Sequence, residues 1–199
     1  MSLMERAKKI LLQPKTEWPV IDTEQASTGA LYTGYIIPLA AVGSIAQIIG
    51  MSLIGVSLPF LGSFKVPIGY AVRSAAVSFV ASLIGVFVLA LIIDALAPTF
   101  GGQKNQMQAL KVAAYSWTAA WVAALLGILP ALGLIVLLIS LYSLFLLYLG
   151  LPVLMKAPQD KAMGYTVVVV VCWIVLWLII ATVSSRMMYR PGGMGYPGM

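Results

Sequence analysis

Four stretches of this chain carry no Asp, Glu, Lys or Arg: Gln25 to Phe64, Ser74 to Ile93, Val112 to Met155 and Ala162 to Ser185. A helix crossing the hydrocarbon core of a bilayer needs about 20 predominantly apolar residues. The second and fourth stretches fit one such helix each. The first has a polar approach at 25–28 and a loop-like end at 58–64, which leaves room for one. The third is long enough for two and breaks at Leu129-Pro130-Ala131, a turn signal. The pattern predicts an all-α polytopic membrane protein with five transmembrane helices, near 32–57, 72–95, 110–129, 132–155 and 163–184.

Composition agrees. Of 199 residues, 61% are hydrophobic and 9% charged, and the mean hydropathy is +1.01. Soluble domains carry about 25% charged residues. This chain could not cover its apolar surface in water, which excludes a soluble globular domain, a disordered chain and a nucleic-acid module. The lipid bilayer is its first partner. There is no His, so imidazole acid–base chemistry and His metal sites are absent. The single Cys172, within VVVVVCWIV, cannot form an internal disulfide or a Cys-type zinc site and reads as a packing residue. No catalytic residue, cofactor or metal site is expected. The net charge of +6 is assigned to loop lysines facing anionic lipid.

Lysine and arginine positions set the expected orientation. With the N terminus inside, the inner segments hold Arg6, Lys8, Lys9, Lys15, Lys104, Lys111, Lys156 and Lys161; the outer ones hold Lys65, Arg73, Arg186 and Arg190. Five spans then put the C terminus outside, an arrangement that Arg186 and Arg190 mildly oppose. MSLMERAKKILL lacks the long apolar core and small-residue cleavage site of a signal peptide, so no cleaved leader is expected.

Residues 1–30 read as a cytoplasmic amphipathic segment, residues 31–185 as the five-span membrane domain, and 186–199 as a Met/Gly/Pro-rich tail. In the first segment Leu3, Ala7, Ile10 and Leu11 share a face, which predicts a short interfacial helix ended by Pro14. Trp18 follows, an aromatic suited to the headgroup region. The tail holds four of the ten methionines. Thioethers suit Cu(I), but a flexible or partner-docked tail is the preferred reading.

Small residues recur at helical spacing: Gly43, Ala46 and Gly50 in the first span, Ser74, Ser78 and Ser82 in the second, Ser116, Ala120 and Ala124 in the third. Such stripes let helix backbones approach closely in lipid. Spans one to three are therefore expected to form the packed centre, with the fifth peripheral. Gln47 lies near the middle of the first span. Its plain reading is an interhelical hydrogen bond to a serine of the second span; a polar path including Gln47, Ser78 and Ser82 is the other. Asp94 and Arg73 bracket twenty uncharged residues, about one bilayer crossing. This puts Asp94 at an interface rather than at the depth of a proton relay. The loop after the second span, Pro98 to Gln108, holds Gln103, Lys104 and Asn105. It reads either as a hydrated turn or as a recognition surface, with Asp94 pairing with Lys104 or Lys111. Trp18, Asp94, Gln103, Lys104 and Asn105 are the candidate docking residues.

Three segments stand in this order: Leu12-Gln-Pro14-Lys-Thr-Glu-Trp18-Pro; Asp94-Ala-Leu-Ala-Pro-Thr-Phe-Gly101-Gly102 leading into Ala109-Leu-Lys-Val-Ala-Ala-Tyr115-Ser; and Tyr142-Ser-Leu-Phe-Leu-Leu-Tyr-Leu-Gly150-Leu-Pro152. Together they resemble the Yip-domain (Rab/Ypt-interacting protein) family of integral membrane proteins, bacterial branch. The resemblance covers residues 8–184 and implies a five-helix membrane domain with a cytoplasmic N terminus. Eukaryotic members are linked to Rab GTPases and vesicle traffic; bacterial members generally have no established activity. The N-terminal region here is too short for the longer cytosolic part of eukaryotic relatives, so Rab binding is not carried over. The expected function is that of a non-catalytic protein of a bacterial inner membrane that assembles with a membrane-protein partner or a second copy, or organises lipid. A small-solute transporter or channel is the alternative.

Overall fold

Ser27, Pro67 and Asn105 decide where the first three spanning helices begin. The Ser27 hydroxyl accepts the Ala30 N–H at 3.2 Å, and the Asn105 side-chain oxygen accepts the Gln108 N–H at 3.1 Å. Pro67 stands immediately before its helix. The Ser27 and Asn105 side chains satisfy N–H groups that have no partner within the helix. Each helix therefore starts about one turn before the apolar run that hydropathy detects.

The computed structural model describes residues 2–58, 62–129 and 132–188, with the backbone alone for 56–58, 62–64 and 180–188. Two short helices come first, α1 (Leu3–Leu12) and α2 (Pro14–Thr23). The first span, Thr28–Ile54, is continuous. It contains α3 (Thr28–Leu31), a π turn at Tyr32–Ile36, α4 (Ile37–Ile49) and a second π turn at Gly50–Ile54. Pro38 offers the ladder no N–H, and the first widened turn immediately precedes it. A hairpin of β1 (Val56–Leu58) and β2 (Gly62–Phe64) follows, with Val56 opposite Phe64. Then come α5 (Ile68–Leu96), α6 (Gln106–Ser116), α7 (Thr118–Leu126), α8 (Gly133–Leu154) and α9 (Ala162–Met188). The five long apolar helices stand where they were expected, and the hairpin replaces the loop-like end of the first charge-free stretch. Pro130, Ala131 and the tail from residue 189 lie outside the described residues.

The packed centre is narrower than the small-residue stripes predict. Of the third span's most apolar window, 67% is buried, against 28% for the first and second and 22% for the fourth and fifth. Ala113, Ala114, Ala119 and Ala123 of α6 and α7 are fully buried. The third helix is packed by α4, α5 and α8. A stripe shows that one side of a helix can be approached closely. It does not show how many sides are.

The N-terminal segment also departs from expectation. Pro14 ends α1 but opens α2 at its first position, where its missing N–H costs nothing. Ala7 and Ile10 of α1 are buried in the protein core, with Leu3 and Leu11 packed beside them. The Tyr142 hydroxyl donates to the Leu11 carbonyl at 3.0 Å and ties α1 to α8. The buried part of the α1 face, Ala7 and Ile10, lies on protein, while Met4 and Leu12 remain exposed. Amphipathic spacing identifies the face without identifying what covers it.

Candidate functional site

The charged residues at one end of the bundle hold α1 and α2 against it. Arg6 donates to Glu17 at 2.5 Å and also pairs with Glu24. Its guanidinium lies 5.8 Å from the centre of the Tyr115 ring. Arg6 and Glu17 are both buried. Burial works against the Arg6 charge. The hydrogen bond and charge of Glu24, with Tyr115 and Glu17, outweigh it and hold the guanidinium above its ordinary pKa. Lys111, only 3% exposed, donates to the carbonyls of Ile21 at 3.0 Å and Glu24 at 2.5 Å. These are the last carbonyls of α2, where the helix dipole favours a cation. Asp22 joins the neighbouring elements: Lys156 bonds its carboxylate at 2.5 Å, and the Gln108 amide reaches its side chain at 3.1 Å.

Trp18 is fully buried beneath this network. Its ring meets Tyr115 edge-on at 6.3 Å, and Tyr115 meets Tyr35 at 4.7 Å. Tyr35 and Thr118 share a 2.7 Å hydrogen bond. Trp18 is therefore an internal wedge, which corrects its assignment to a docking surface. An aromatic before a span suits either place; its depth depends on α2 folding back onto α8.

The 98–108 loop is pinned. Gly101, with φ +74°, ends the short 3-10 turn Ala97–Phe100 in the left-handed region. The Gly102 N–H donates to the Ala97 carbonyl at 2.8 Å, and the Gln103 N–H to the Met155 carbonyl at 2.7 Å. Asn105 caps α6. Gln103 and Lys104 are exposed, and neither side chain bonds another described residue. Asp94 is half-buried, and its Oδ1 has no hydrogen-bond partner among the described residues. The expected pairing of Asp94 with Lys104 or Lys111 does not form, because Lys111 is turned to the end of α2.

Within the spans, the Gln47 amide donates to Ser74 at 3.3 Å and to the Met51 sulfur at 3.8 Å. Trp121 donates to Ser82 at 3.4 Å. A cavity of about 440 Å³ lies between α4, α5 and α7, lined by Ser44, Gln47, Ser78 and Ser82 on one side and Trp117 and Trp121 on the other. Among the described residues it holds no charged side chain, and none contains a cluster able to ligate a metal.

Residues 8–187 match the family model of the Yip1 domain. The chain belongs to the Yip1 domain family. No curated protein and no solved structure matches it.

In this Yip1-domain protein the candidate docking residues do not form one surface. Trp18 is internal, Asp94 is half-buried and Asn105 commits its side-chain oxygen to a cap, which leaves Gln103 and Lys104 as the exposed candidates whose side chains bond no described residue. The residues that organise this end are Arg6, Glu17, Asp22, Glu24, Lys111 and Lys156, none of which was a candidate. Two signals were legible. Arg6 shares the α1 face of Ala7 and Ile10, and Lys111 stands between Leu110 and Val112 inside a helix whose neighbours are buried.

Proposed function

We propose that this Yip1-domain protein is a non-catalytic component of a bacterial inner membrane, and that it assembles with a membrane-bound partner through the Gln103–Lys104 loop. One observation carries the reading: this loop is held rigid on both sides while its two polar side chains are left free. A surface already held in shape loses less entropy on binding. The network beside it supports the same view, because its charged groups pair with one another and tie α1 and α2 to the bundle. The excess of lysine at this end supports a cytoplasmic side for it.

Partner recovery from native membranes tests this. The Gln103→Ala, Lys104→Ala double variant keeps Asn105, and with it the α6 cap, so it should remain folded while losing a partner. A transporter reading is favoured by the cavity beside Gln47, Ser78 and Ser82. If the double variant retains every partner and Gln47→Leu abolishes a solute flux, transport takes the place of docking.

A further inference from the structure

A pocket of about 450 Å³ opens between α2 and α8, lined by Lys15, Trp18, Tyr148 and Gln159 and by the apolar Phe145 and Leu149. No acidic side chain lines it. Its accessible polar groups can all donate: the Lys15 ammonium, the Gln159 amide and the Tyr148 hydroxyl. Trp18 lies beneath the pocket with no exposed surface. Lys15 is exposed and forms no ion pair among the described residues.

A second groove, about 470 Å³ and almost wholly apolar, runs between α8 and α9 past Met163, Val167 and Val171. The two spaces share Phe145 and Tyr148, so the polar pocket and the apolar groove adjoin. The pocket lies near the end of α8 at Leu154 and the start of α9 at Ala162. From Met163 to Val171 the groove descends about 12 Å along α9, at about 1.5 Å per residue. A donor-rich, cationic pocket at helix-end level above an apolar groove matches a phospholipid in both halves.

We propose that the protein binds one anionic phospholipid here, its phosphate against Lys15, and one acyl chain along the α8–α9 groove. The site is separate from Gln103 and Lys104 and does not depend on docking there.

The full-length protein in nanodiscs of mixed phosphatidylglycerol and phosphatidylcholine supplies the test, with retained lipid counted by native mass spectrometry. Wild type should retain one phosphatidylglycerol in preference to phosphatidylcholine. Lys15→Glu should lower that retention about ten-fold, as expected for reversing one phosphate contact. Lys8→Glu makes the same charge change at an exposed position outside the pocket and should retain the lipid. Val167→Trp should displace it by filling the groove at constant charge. Equal retention of the two lipids by wild type overturns the proposal. So does a Lys8→Glu loss as large as that of Lys15→Glu, or a Val167→Trp variant that keeps the lipid. Partner recovery, measured on the same variants, reports on the docking reading independently.

Discussion

The ring of Trp18 lies where a side chain at position 150 would be. A Cβ built on Gly150 would fall 2.8 Å from the Trp18 Cζ2. Glycine on α8 is what lets α2 lie against it with Trp18 between them. Gly150→Ala should therefore destabilise the protein by about 1–3 kcal/mol, the usual cost of overpacking. Gly34→Ala is the control, because nothing lies within 4 Å of its added methyl. It should be neutral or slightly stabilising. Thermal unfolding in detergent separates the two.

Removing Arg6 leaves Glu17 buried without its cation. Arg6→Met should cost about 3 kcal/mol or more, in the range of breaking a buried ion pair by deleting one partner. Release of α1 should appear as faster proteolysis near Gln13. Because the Arg6 pKa is raised on folding, its contribution is fully present below the ordinary arginine pKa and is lost only above the raised value. Alkaline titration up to the lysine range should leave the protease resistance of α1 undiminished by Arg6 deprotonation.

Close helix approach is tested at Gly50 rather than at Ala120. A Cβ on Gly50 would lie 2.9 Å from the Gly127 carbonyl oxygen, which is backbone and cannot turn away. Ala120 is half-buried and lines two cavities. Gly50→Ala should cost about 1–3 kcal/mol, and Ala120→Leu less than that. A larger loss of thermal stability for Ala120→Leu would show that the cavities beside it cannot receive the side chain.

Topology is tested by single cysteines in a Cys172→Ser background. Lys8→Cys and Lys104→Cys lie at the end of the bundle that holds α1, α2 and the 98–108 loop; Lys65→Cys follows the hairpin at the other. An impermeant thiol reagent applied to intact cells should label position 65 alone. Labelling at 104 would reverse the proposed orientation.

The number of spanning helices and their approximate limits follow from the sequence alone, because hydropathy and charge report, residue by residue, which solvent a segment can tolerate. The ordered segments around Trp18, Asp94 and Tyr142 carried the family resemblance for the same reason: each is contiguous. What covers each apolar face is a different question, since it depends on contacts between residues far apart in the chain. Lys111 meets the Ile21 carbonyl across ninety positions, and Tyr142 meets that of Leu11 across one hundred and thirty-one. Only the tertiary structure decided that α1 packs on protein, that Trp18 is internal, and that the third span rather than the first three forms the centre. An apolar side chain satisfies its local solvent preference equally in lipid and in a protein core. The choice between them is made by shape: the glycine at 150 that admits an indole, and the α2 carbonyls that can receive Lys111.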